Sequence, residues 1–174
     1  MKIKLSAGPL AQELTDLMPH LFSFNEGVEV HFEDVERIGY KATYSEDSFK
    51  IEVGSRSDKL LALGDLAMMS KPMDSHKSPG LYMRGFMLDV SRNGVVKVSY
   101  LKQKLIRLAL MGMNYFCLYT EDTFPFPEEP LFGYGRGGYT VEEIRELVEF
   151  GKANFCYSTS NNYDDVFHIG LGEM

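Results

Sequence analysis

The stretch RGFMLDVSRN, Arg84 to Asn93, decides the fold. Its middle, Phe86 to Val90, is a short apolar run interrupted only by Asp89. A run of that length without alternation is expected of a parallel strand buried on both faces. Helical spacing follows it. VSYLKQKLIRLALMG places Leu101, Leu105, Leu108 and Ala109 on one stripe, with Lys102, Lys104 and Arg107 off it. Gly112 stands where a helix end favours positive φ. NYFCLYTED, Asn114 to Asp122, is a second buried strand that closes in acids. After the loop FPFPEEPLFGYGRGGY, Thr140 to Glu143 form a capping box. It opens a helix with Ile144, Leu147, Val148 and Gly151 on one face. FCY and DVFHIG are the last two strand segments. Strand, helix, strand, helix, strand, strand predicts a parallel sheet with right-handed crossovers.

Upstream the period differs. Residues 1–75 have the pattern of a small α+β domain. LAQELTDLM sets Leu10, Leu14, Leu17 and Met18 on one helical face. VEVHFEDV alternates Val28, Val30 and Phe32 as a half-buried strand does. YKATY and FKIEV flank SEDS, which predicts an antiparallel hairpin. SDKLLALGDLAMM carries Leu60, Leu61, Leu63 and Leu66, with Ser57 as the expected N-cap. SKPMDSHKSPG, Ser70 to Gly80, is rich in Ser, Pro, Lys and Gly and predicts a linker. The expected division is therefore 1–75 and 76–174.

Composition narrows the function. The 174 residues are 44% hydrophobic and 25% charged, which is globular rather than disordered. A net charge of −7 argues against a general nucleic-acid binder, which needs clustered cations, and against docking to anionic membranes. The N-terminus MKIKLSAGPL lacks the apolar run of a signal peptide, so the cytoplasm is the expected compartment. Cys117 and Cys156 lie far apart in apolar surroundings and are expected to be buried thiols. No Cys/His cluster has ligand spacing, so neither zinc nor another cofactor is expected. Trp is absent.

Four motifs carry chemistry. Arg84, Asp89 and Arg92 surround the first buried strand. They read either as Asp89 buried and paired to one of the arginines, or as Arg84 reaching into a pocket to grip hydroxyls through its fork of donors. Glu121 and Asp122 close the second strand, and C-terminal strand ends line ligand crevices in parallel sheets. FGYGRGGY lacks the Gly-Lys-Ser/Thr ending of a phosphate loop and is expected to be a structured aromatic loop. HIGLGEM ends an apolar strand with a lone carboxylate, Glu173, where a general acid could stand.

Together these motifs resemble the family 20 glycoside hydrolases, the β-N-acetylhexosaminidases, of bacterial type. RGFMLDVSRN, LALMGMNYFCLYTEDTF and FGYGRGGYT stand in the order that family shows, over Leu81 to Lys152. HIGLGEM is similar to the family's His-Ile-Gly-x-Asp-Glu strand end. Residues 1–75 look like the small α+β domain that precedes its barrel. The resemblance implies an α/β chain holding roughly the first four strands of a (β/α) barrel. It implies removal of terminal N-acetylhexosamine by substrate-assisted retaining hydrolysis. Carried over by position, Glu173 would be the general acid, Arg84 would bind sugar hydroxyls, and Asp122 would orient the acid. The implied partner is an N-acetylhexosamine-containing glycan.

The pattern departs from the family at three places. Gly172 stands where the family has the Asp that holds the acetamido group. The segment between Lys152 and Asp164 is short for a third strand and its helix. Strands five to eight have no counterpart, so the chain is expected to be truncated and internally shortened. Losing such an acid costs orders of magnitude in rate. The chemistry alone therefore favours the alternative, a non-catalytic truncated paralogue with weak sugar binding or a partner-docking role. An unrelated small α/β domain is the third reading. Unpaired sheet edges predict self-association.

Overall fold

The structure is a computed structural model that describes residues 1–92, 94–154 and 167–168, the last two by their backbone. It divides into two units. One comprises Met1–Tyr82 and Ile106–Gly112; the other comprises Met83–Leu105 and the residues from Met113 onward.

The first unit has strands β1 (Ile3–Lys4), β2 (Phe22–Ser23), β3 (Val28–Asp34), β4 (Tyr40–Ser45), β5 (Ser48–Val53) and β6 (Ser75–Lys77), and helices α1 (Pro9–Leu17) and α2 (Arg56–Ala67). The strands form one mixed sheet in the order β2-β1-β3-β5-β4-β6. The expected hairpin is present, with Ser45 opposite Ser48. Its two turn residues, Glu46 and Asp47, have φ of 50° and 58°. That backbone suits the twist of a two-residue hairpin turn. Leu60, Leu61, Leu63 and Leu66 of α2 and Phe49, Ile51 and Val53 of β5 are all buried and form the core. Each such side chain contributes about 1.5–3 kcal/mol by leaving water.

Two expectations in this unit are corrected. The N-cap of α2 is Ser55, whose hydroxyl accepts from the Asp58 amide at 3.1 Å. Ser57 is already inside the first turn and buried. The stretch read as a linker supplies β6, which pairs antiparallel with β4. Its backbone is recruited by an open sheet edge and needs no apolar alternation. The segment is also tied by side chains. The Tyr40 hydroxyl donates to Asp65 at 3.0 Å and lies 2.9 Å from the Ser75 hydroxyl, while Lys77 pairs with Asp65 at 3.0 Å. Burial pushes the Tyr40 phenol up to about 12.

The second unit follows the predicted alternation: β7 (Gly85–Asp89), α3 (Val98–Leu110), β8 (Tyr115–Tyr119), α4 (Val141–Asn154) and β9 (Phe167–His168). The last turn of α3 is assigned to the first unit. The sheet is parallel throughout, in the order β7-β8-β9. This is an α/β architecture matching part of a (β/α) barrel, with three strands among the described residues. Leu101 and Leu105 of α3, and Ile144 and Leu147 of α4, are buried as their spacing predicts. The capping box is formed: the Thr140 amide donates to Glu143 at 2.8 Å, and the Glu143 amide donates to the Thr140 hydroxyl at 3.1 Å. FCY lies outside the described residues.

The burial expected of β7 is not found. Phe86 is 36% exposed and Met87 62% exposed, whereas Phe116 and Leu118 of β8 are buried. Among the described residues β7 pairs with β8 alone and stands at the edge of the three-stranded sheet. Among the described residues, too, no helix is long and apolar enough to cross a membrane.

Candidate active site

Parallel pairing sends the C-terminal ends of β7 and β8 to one rim. Asp89 lies opposite Tyr119 there, and Gly85 lies opposite Tyr115 at the other end. The rim acids and arginines engage one another. Asp89 Oδ1 accepts from the Ser91 amide at 2.8 Å, the Ser91 hydroxyl at 2.7 Å and the Arg92 amide at 3.2 Å. Its Oδ2 accepts from Arg92 Nη1 at 2.8 Å. The Ser91 hydroxyl, then the Arg92 guanidinium, hold the Asp89 carboxyl well below the usual carboxylate range. Asp89 in turn is the main reason Arg92 stays protonated beyond the ordinary guanidinium range.

Arg92 is also fixed from the neighbouring strand end. Its Nη2 donates to Glu121 Oε1 at 3.1 Å, and its guanidinium lies 5.3 Å from the centroid of the Tyr119 ring. The Tyr119 hydroxyl donates to the same Glu121 oxygen at 2.6 Å, which raises the phenol's pKa. Glu121 makes these contacts with φ of +45°, a left-handed backbone that glutamate adopts at a cost. The chain turns sharply there, through a short 3₁₀ turn over Glu121–Thr123. A sharp turn is what brings a carboxylate back over the strand it has just left. Thr120, fully buried at the same turn, has a hydroxyl with no hydrogen-bond partner among the described residues.

A second pair lies next to the first. Arg136 Nη1 binds both oxygens of Asp122, at 2.8 and 3.0 Å, and its Nη2 donates to the Ser91 carbonyl. The aromatic loop is thereby pinned to the rim. It packs Phe124 on Phe126 and Phe126 on Phe132, with ring centroids 5.2 and 5.3 Å apart. Tyr139 closes the loop: its amide donates to the Thr123 carbonyl at 2.9 Å and its hydroxyl to the Val96 carbonyl at 2.8 Å. Burial pushes that phenol up to about 12.

The rim therefore presents two guanidinium groups, each steadied by a carboxylate and still about half exposed: side-chain exposure is 64% for Arg92 and 40% for Arg136. Such groups can donate further hydrogen bonds to neutral hydroxyl or carbonyl oxygens. Among the described residues no group of three or more His, Cys, Asp or Glu side chains could hold a metal ion.

The predicted site residues are distributed as follows. Asp122 is at the rim. Arg84 precedes β7, at the opposite end of the sheet. Its amide donates to the Asn114 side chain at 2.8 Å, and its carbonyl accepts from the Asn114 and Tyr115 amides. Five residues of strand, at about 3.3 Å each, separate the two ends. The structure does not bring Arg84 and Asp122 together. Glu173 lies outside the described residues, as do Gly172 and Cys156. Cys117 is a half-buried free thiol. Tyr119 and Arg136 have no role in the sequence reading, and Arg92 and Glu121 stand in its motifs without a site role of their own. The signal for Arg92 was its place just past the C-terminal end of the apolar run.

The chain matches no protein-family model and no curated protein. Solved structures do match. The β-N-acetylhexosaminidase from Streptomyces coelicolor A3(2) covers 89% of this chain with a TM-score of 0.63 at 19% identity. The fold is that of the family 20 hexosaminidases. The exo-β-N-acetylglucosaminidase from Vibrio harveyi, solved with N-acetylglucosamine, shares this hexosaminidase fold over 88% of the chain, with a TM-score of 0.65 at 23% identity. A mutant β-hexosaminidase from Streptomyces plicatus, solved with its product GlcNAc, does so over 88% with a TM-score of 0.62 at 18% identity. The chain spans 31% to 40% of the length of these hexosaminidase structures.

Proposed function

We propose that this chain is part of a glycoside hydrolase that removes terminal N-acetylhexosamine residues, and that the β7–β8 rim is the sugar-gripping side of its active site. The observation that supports this most is the Asp89–Arg92–Glu121–Tyr119 cluster, placed where a parallel sheet of this fold holds its ligand. Arg92 replaces Arg84 in the role of hydroxyl grip. Its fork is fixed by two carboxylates and by a ring beneath it, so binding a sugar costs little further ordering. Asp122, locked to Arg136, belongs to the acidic network beside the reacting centre.

In the proposed reaction the acetamido oxygen of the sugar attacks its own anomeric carbon while Glu173 protonates the departing glycosidic oxygen. Water then opens the cyclic intermediate, with Glu173 taking a proton back. No Asp stands beside Glu173 to hold the acetamido group, because residue 172 is glycine. The expected rate is therefore lower, by about 10²–10³-fold, than that of a site with such a group.

Release of nitrophenol from nitrophenyl N-acetylglucosaminide tests this. The expected result is slow turnover that Glu173→Gln abolishes and Gly172→Asp raises at least tenfold. Absence of turnover at high protein concentration, with N-acetylglucosamine still bound, would leave a sugar-binding protein and remove the hydrolase.

A further inference from the structure

The stretch RGGY, Arg136 to Tyr139, touches the chain just past both strand ends. Arg136 Nη1 holds both oxygens of Asp122, beyond the end of β8, while its Nη2 donates to the Ser91 carbonyl, beyond the end of β7. The Tyr139 hydroxyl donates to the Val96 carbonyl at 2.8 Å. Ser91 and Val96 bracket Arg92 in the chain. The backbone on both sides of Arg92 is therefore held by side chains of another loop. That loop end is itself anchored, because Tyr139 is buried and its amide donates to the Thr123 carbonyl at 2.9 Å. Ser91 carries the hold on to Arg92. Ser91 is buried, and its amide and hydroxyl both donate to Asp89, the carboxylate that accepts from Arg92 Nη1. A shift of the Ser91 backbone would move Asp89's donors and the guanidinium with them.

We propose that Arg136 is a positioning residue for Arg92: with Tyr139 it clasps the β7–α3 loop at both ends and so presets the fork that grips the sugar. The use of that fork on a sugar rests on the function proposed above. Arg92 is a long side chain with 64% of its surface in water, and a chain so exposed loses freedom when a ligand fixes it. Support from a neighbouring loop takes that loss at folding instead of at binding. The residue type suits the task. A guanidinium offers one nitrogen to Asp122 and a second to the Ser91 carbonyl, whereas a lysine ammonium has one nitrogen for both. Asp122 then serves the rim by fixing Arg136, since both its oxygens are engaged there.

Nitrogen NMR of the arginine side chains, with and without N-acetylglucosamine, tests the clasp on the full chain. The unaltered protein should show resolved, slowly exchanging Arg92 side-chain N–H signals before sugar is added. Arg136→Gln and Arg136→Lys should both broaden or lose them, with backbone shifts of β8 and α4 retained, and both should weaken N-acetylglucosamine binding about three- to tenfold, the ordering of one long side chain. Tyr139→Phe keeps the buried ring and removes only the bond to Val96; it should change the Arg92 signals in the same direction. If Arg136→Gln leaves the Arg92 signals as they were, the clasp is overturned, whatever happens to affinity. If Arg136→Lys restores both signals and affinity, charge alone acts and the bridging role falls. If the signals are lost while affinity is unchanged, Arg136 orders Arg92 without serving the sugar, and the proposal is likewise overturned. Absence of sugar binding in the unaltered chain would remove the proposed function, and the hold of Arg136 on Arg92 is then decided by the signals alone.

Discussion

Glu121 is the residue at which backbone strain and site chemistry coincide. A left-handed backbone costs a non-glycine residue about 1–2 kcal/mol. What it gains is a carboxylate that meets Arg92 and the Tyr119 hydroxyl at once. The two effects separate experimentally. Glu121→Gly removes both strain and carboxylate, so its melting temperature should equal or exceed that of the unaltered chain, while its N-acetylglucosamine affinity should fall about three- to tenfold. A parallel loss of stability and affinity would make Glu121 a structural residue. Asp89 gives a pH prediction. Its folded pKa is depressed, so the stability it lends is full above its unfolded value near 4 and is lost only as pH falls through the lower folded value. At pH 3 its carboxyl carbon should still report an ionised group by NMR. Ser91→Ala, which removes the largest cause of the depression, should move the titration upward. A midpoint near 4 in the unaltered chain would contradict the hydrogen-bond geometry. The sequence showed that acids gather at strand ends, because that rule depends only on order along the chain. The resemblance pointed to Arg84, although Arg84 and Arg92 flank one strand eight positions apart. Only the strand's bounds say which arginine is at the rim.

At the scale of elements, close backbone approaches matter more than propensity. Gly64 lies inside α2, where alanine would ordinarily favour the helix by about 1 kcal/mol. Here a Cβ would sit 2.0 Å from the Leu110 carbonyl oxygen. Backbone must move to admit it, so Gly64→Ala should destabilise by about 1–3 kcal/mol, read as a lower urea midpoint at unchanged slope. Gly80→Ala, with nothing within 4 Å, is the control and should leave the midpoint in place. If both variants unfold alike, helix propensity rather than contact governs α2. Long periodic elements were legible in the sequence: the leucines of α2, the stripe of α3, the capping box of α4 and the hairpin all match. Short ones were not. β1 and β2 have two residues each, and β6 is made of Ser, His and Lys. Such segments become strands because a neighbour offers hydrogen bonds, and a pattern of side chains does not report that.

At the scale of the whole chain, the exposure of β7 is the feature that its sequence predicts least. An apolar run reads as buried on both faces, yet Phe86 and Met87 meet solvent. Lys104 shields part of Phe86, with its ammonium 4.9 Å from the ring centroid. Met87 has no comparable cover among the described residues. A closed barrel has no edges, whereas an open parallel sheet presents unpaired main-chain groups at its outermost strand. An exposed apolar edge strand is a template for another strand, and natural edges blunt that risk with lysine. Light scattering across a concentration series should therefore show the mass of the unaltered chain rising with concentration. Met87→Lys places a charge on the solvent side of that edge and should return the protein to a monomer. A monomer at every concentration in the unaltered chain would show that the β7 edge is protected without a second copy, and the association expected from the open sheet would be withdrawn.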